Sequence, residues 1–202
     1  MAMTSDRRTL VQFVASTALV TAACVIYLGS AGWSDENIRL LLRLTAHLAF
    51  VVLMLVFIAR PLRELIRTEL TQALLRNRKL VGVTFAGIHT AHMALILYRA
   101  QQVSDFEFSI ANNLPGMFTY VVIYLMLITS FSGPARAIGP KAWNILHKAG
   151  LFLIMAVFAQ TQLPESLDKL SEFNWGIVGF LIFALIVRAT AFFARRGKAT
   201  AI

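Results

Sequence analysis

Four histidines, His47, His89, His92 and His147, fall inside apolar stretches of the chain, and no Asp or Glu accompanies them there. An ionisable side chain in such surroundings is costly and marks a functional position. Imidazoles without carboxylates argue against a carboxylate path for protons or sodium. They point to haem iron, which takes neutral axial histidines from facing helices. The bland alternative for any one of them is a hydrogen bond to a neighbouring helix. Cys24 is the sole cysteine, which excludes an internal disulfide framework, a cysteine-ligated zinc and an iron–sulfur cluster.

The elements that must position these imidazoles are membrane helices. The 202 residues are 58% hydrophobic and 14% charged, far from the roughly 25% charged residues of a soluble domain. Charge-free runs cover 9–34, 44–59, 80–98, 108–135, 149–164 and 173–187. With flanking residues that snorkel, each reaches the length of about 20 residues that a bilayer core requires. The expectation is an all-α polytopic bundle, a single transmembrane domain of about six helices. Their approximate bounds are 9–29, 38–59, 80–98, 114–131, 143–162 and 173–193. The first run is longer than the apolar region of a secretory leader and reads as a retained span.

Charge sets the orientation. Of 19 Lys and Arg, 14 fall on one side if the N-terminus is inside, four fall on the other, and Arg188 lies within the last helix. The positive-inside rule then places both termini in the cytoplasm. The net charge of +9 is mostly this topology signal, with membrane lipid as a partner for the basic side. Nucleic acid is not needed to explain it. The cytoplasmic segment 61–79 has its apolar residues at helical spacing with a basic opposite face, fit to lie on the membrane surface. No segment is long enough for a soluble catalytic or nucleotide-binding domain.

A rise of 1.5 Å per residue puts His47 at about 13 Å and His92 at about 9 Å from the outer face, so the two are close in depth. His147 sits at about 6 Å from the inner face, and His89 is mid-membrane, one turn below His92. Gly82, Ala86, Gly87, Ala149 and Gly150 either leave room for a porphyrin or allow close helix packing. Arg43, Arg99 and Arg188 are candidates to pair with haem propionates, or simply snorkel. Trp33, Trp143 and Trp175 read as interfacial anchors.

Two segments carry a resemblance. Arg78-Lys79-Leu80-Val81-Gly82-Val83 is followed on one helix by His89 and His92. Thr129-Ser130 is followed by Gly139-Pro140 and by Trp143-Asn144-Ile145-Leu146-His147. The pattern resembles the ferric-reductase-like transmembrane superfamily, on the branch of haem-binding membrane subunits of bacterial methionine sulfoxide reductase systems. Arg60-Pro61-Leu62 also fits, and the likeness covers about residues 38–190. It implies a six-helix inner-membrane bundle with b-type haem, one or two per chain, that passes electrons across the membrane. His92 and His147 match the family's ligand positions. A second histidine usual on the fifth helix is replaced here by Gln160, with His47 as the stand-in partner for His92 and His89 as a competing partner, including for His147. With no flavin or nicotinamide domain, the donor is a quinol or a separate reductase and the acceptor a partner protein or small oxidant. The chain is then a component of an oxidoreductase system. The reading from another class is a non-haem structural or assembly subunit of a larger membrane complex. A small transporter is disfavoured by the missing buried carboxylates and the missing internal repeat.

Overall fold

The computed structural model describes residues 2–102, 110–168 and 172–200. They form α1 (Ala2–Ala31), α2 (Asp35–Leu65), α3 (Glu69–Arg76), α4 (Arg78–Gln102), α5 (Ile110–Ile128), α6 (Ser132–Asp168) and α7 (Glu172–Thr200). Among the described residues α1, α2, α4, α6 and α7 each contain a stretch long and apolar enough to cross a membrane, and α5 contributes a shorter apolar helix, Leu114–Ile128. The chain is therefore a multi-span, all-α membrane bundle. Lys169 and much of the 99–113 connection lie outside the described residues.

The amphipathic segment resolves into parts. α2 continues through Pro61 to Leu65, six residues beyond the expected end. The chain then breaks, and α3 restarts at a capping box in which Thr68 and Thr71 each bond the other's backbone N–H. The fifth span also begins earlier than expected. α6 starts at Ser132, and Gly139, at φ 76°, breaks it in two before Pro140 opens the membrane-spanning rod. A glycine tolerates that left-handed φ and a proline suits a first helical turn, so Gly139-Pro140 re-aims the chain and sets the direction of the rod that carries His147.

The core runs along α2, α4, α5, α6 and α7, through Phe50, Leu53, Met54, Phe57, Ile88, Ile123, Ile154 and Ala184. Near the basic end, Asp6 of α1 accepts hydrogen bonds from Ser132 N at 3.0 Å and Ser132 Oγ at 2.5 Å. A carboxylate suits that position because the first N–H groups of α6 are otherwise unsatisfied.

The small residues divide between both expected uses. A Cβ added at Gly87 would overlap Ser16 Oγ and lie 3.1 Å from the Phe13 carbonyl oxygen, so α1 crosses α4 at this glycine. At Gly150 it would lie 2.6 Å from Met126 Sδ, so α5 crosses α6 there. Gly82, by contrast, meets nothing within 4 Å. Gly87→Leu is accordingly expected to destabilise the bundle by about 1–3 kcal/mol, the range for overpacking. Gly82→Ala should match or slightly exceed wild type. Thermal unfolding in detergent reads both; equal midpoints for Gly87→Leu and wild type would contradict the close α1–α4 contact.

Candidate functional site

The packing treats the four histidines differently. His92 of α4 meets α2 through Thr45, whose Oγ1 lies 2.7 Å from His92 Nδ1. Thr45 Oγ1 also donates its single proton to the Leu41 carbonyl at 2.7 Å. It therefore accepts from His92 Nδ1–H, and the His92 lone pair is on Nε2. His47 lies two residues beyond Thr45, about 200° further round the helix, so the turn that aims Thr45 at His92 aims His47 elsewhere. Thr45 is the residue at this contact that reading by type overlooked: a depth match cannot tell which face of α2 is presented.

His89 is buried, 7% exposed, within a cage of rings. Its centroid lies 4.6 Å from Phe85, 5.4 Å from Tyr120, 5.5 Å from Phe158 and 5.7 Å from His92. Phe158 reaches this cage from α6, whereas Gln160, two residues on, is exposed. Neither His89 Nδ1 nor Tyr120 Oη has a hydrogen-bond partner among the described residues.

His147 stands apart from the other three, toward the basic end. Its ring stacks on Trp143 at 4.1 Å and 22°, and its Nε2 lies 3.0 Å from Thr129 Oγ1. Thr129 Oγ1 donates to the Leu125 carbonyl at 2.7 Å, so it accepts from His147, while the Thr129 carbonyl accepts from Trp143 Nε1 at 2.8 Å. One threonine thus fixes both rings. Trp143, expected as an interfacial anchor, also supports the histidine one helical turn away. Each candidate ligand therefore has one ring nitrogen held by a threonine of a neighbouring helix, the arrangement that orients metal-bound imidazoles, with the remaining lone pair on Nε2 in His92 and on Nδ1 in His147.

His147 lines a cleft of about 1150 Å³ that opens at the basic end of the bundle. The cleft lies between α4 and α6, which meet deeper in the membrane where Phe85 and Phe158 come within 6.2 Å. Its deep walls are apolar: Leu53, Phe57, Val83, Ala86, Ile123, Leu127 and Ile154. Arg60, Arg78, Lys79, Lys148, Arg188 and Arg195 also line it, with Asp6 as the single carboxylate among the described residues. Arg60 and Arg195 lean on Glu64 at 3.2 and 3.5 Å, and among the described residues Arg78, Lys148 and Arg188 have no carboxylate within ion-pair distance.

Arg188 is placed by a proline. Pro61 has no N–H to give the carbonyl four residues back, that of Phe57. Arg188 Nη1 supplies the missing bond from α7 at 2.9 Å, with its guanidinium 4.1 Å from the Phe57 ring and 4.7 Å from Phe152. The other arginines considered for propionates lie elsewhere. Arg99 pairs with Asp35 at 2.7 Å and ties the far ends of α4 and α2 together, and Arg43 is exposed on α2.

A slot with apolar depth, an imidazole on one wall and excess positive charge suits a planar apolar group bearing carboxylates. Haem has that form. Among the described residues no three His, Cys, Asp or Glu side chains gather to hold a bare metal ion, whereas haem iron requires only one or two axial donors.

Residues 44–159 match the family described as ferric reductase like transmembrane component. The chain belongs to this family. It is 30% identical over 159 residues to the protein-methionine-sulfoxide reductase heme-binding subunit MsrQ of Polaromonas naphthalenivorans (strain CJ2), an alignment covering 69% of this chain and 70% of the relative. No solved structure matches the chain. The family match begins within α2 and ends at Ala159, and so contains all four histidines, Thr45 and Thr129. Arg188 and Arg195, two of the cleft's cations, lie beyond it.

Proposed function

We propose that this chain is a membrane haem protein of the bacterial inner membrane that relays electrons between a quinol or separate reductase and a partner protein. The observation that carries the reading is the cleft, where His147, an apolar depth and six cations meet in one cavity. The relative named as a haem-binding subunit supports it. In this reading the cleft opens on the cytoplasmic side; His147 would hold the iron of a b-type haem there, and Arg78 and Arg188 would neutralise its propionates. Bound haem would supply one-electron exchange; the chain's own work is to hold the iron, exclude water and neutralise the carboxylates. His92, with its lone pair on Nε2, is the candidate ligand for a second haem nearer the other face, and haem per chain reads that number. A methionine sulfoxide reductase catalytic subunit is the partner class the relative's name suggests.

The test is the purified protein expressed with ample haem supply. We expect a Soret band, a dithionite-reduced minus oxidised spectrum of b type, and at least one haem per chain by pyridine haemochrome. A colourless, folded preparation would end the reading and leave the non-haem structural or assembly subunit.

A further inference from the structure

We infer that a haem in this cleft is ligated by the protein on one side only, leaving its α4-facing side open to a small neutral ligand of the carbon monoxide type. The inference rests on the haem reading and concerns what the wall opposite His147 offers. The α4 part of that wall is Arg78, Lys79, Gly82, Val83, Phe85 and Ala86, none of which offers iron an imidazole, a thiolate or a thioether. Among the described residues His147 is the one imidazole lining the cleft; His89, a turn beyond Phe85, is enclosed by its ring cage instead.

The remaining donors on the cleft wall are in the wrong places. Met126 packs its sulfur against Gly150, which stands one turn beyond His147 on α6, so the thioether belongs to the same wall as the histidine. Lys148 is the residue beside His147 and is exposed. Lys79 turns to the mouth, where Nζ donates to Ser5 Oγ at 3.4 Å. The α4 wall also has unused room, since a Cβ at Gly82 would meet nothing within 4 Å. An apolar pocket with space beside an unligated iron face favours an uncharged diatomic molecule over water, because Gly82, Val83, Phe85 and Ala86 offer it no side-chain hydrogen bond and the α4 cations Arg78 and Lys79 stand about a turn nearer the mouth, beside the propionates.

Carbon monoxide is the probe. The dithionite-reduced, haem-loaded protein should change its Soret spectrum on titration with carbon monoxide and saturate at one per cleft haem. Gly82→His places an imidazole in the free space on the opposite wall. It should abolish that change and convert the oxidised haem from high-spin to low-spin by electron paramagnetic resonance. Gly82→Ala should behave as wild type. A haem-loaded wild-type protein that ignores carbon monoxide overturns the inference and leaves the haem reading standing. Undiminished binding in Gly82→His also overturns it, by removing the open face from this cleft. A protein without haem removes both. Should Gly82→His fail to fold, the wild-type titration alone decides.

Discussion

His147→Ala should purify as a folded membrane protein with its haem content reduced at least tenfold, a loss larger than any neighbouring substitution produces. The ring is supported rather than supporting: it stacks on Trp143 and donates to Thr129, and neither contact closes the core. Its loss should therefore cost little stability and much iron affinity. Thr129→Val supplies the contrast. It keeps the imidazole but removes the oxygen that fixes its orientation, and changes of that kind weaken metal binding by about 10- to 100-fold. Thr129→Ser should retain nearly all the haem. His147→Gly with added imidazole should recover the Soret band if the side chain's role is ligation. The measurement is haem per chain by pyridine haemochrome beside the thermal midpoint. If His147→Ala kept its full haem and unaltered spectrum, the cleft would not be held through this residue.

The bundle was legible in the chain because the bilayer imposes so simple a rule. Charge-free runs mark the spans in α1, α2, α4, α5, α6 and α7, and the structure moves mainly their ends. The ends moved for local reasons. α2 continues through Pro61 because Arg188 supplies the bond its ring cannot, and α6 starts early because Gly139 absorbs the bend. The level at which α2 meets α4 follows from counting too, and Thr45, two residues before His47, touches His92. Rotation was not legible. Counting puts His47 and His92 close in depth, but whether α2 presents Thr45 or His47 depends on packing against α4 over its whole length. The cation cluster was hidden for a similar reason. Its members come from α2, α4, α6 and α7, and sorted by loop they read as an orientation signal. Trp143 carried a sequence cue in its spacing of four before His147, one helical turn.

Arg188 separates the electrostatic reading of the cleft from a purely structural one. A guanidinium within an apolar helix is expensive, and here it is retained on the wall of a cavity already crowded with positive charge. Its bond to the Phe57 carbonyl occupies one donor edge and its cation–π contacts with Phe57 and Phe152 the flat faces, and neither offsets the repulsion from the other cations of the cleft. An anionic occupant does. Arg188→Leu should thus weaken haem retention by roughly ten- to a hundredfold, the equivalent of about 1.5–3 kcal/mol for one hydrogen bond to a charged group. It should also make the reduction potential more negative, because removing a positive charge beside the iron disfavours the electron-rich form. Arg188→Lys keeps the charge and gives up the planar stacking, and it should preserve the potential better than the retention. The rate of haem transfer to excess apomyoglobin reads the first quantity and a spectroscopic redox titration the second. Were both to match wild type while only the thermal midpoint fell, Arg188 would serve Phe57 and Pro61 alone, and the cleft's charge would need another explanation. A coupled change in both, larger for leucine than for lysine, would tie the α7 guanidinium to the occupant of the cleft.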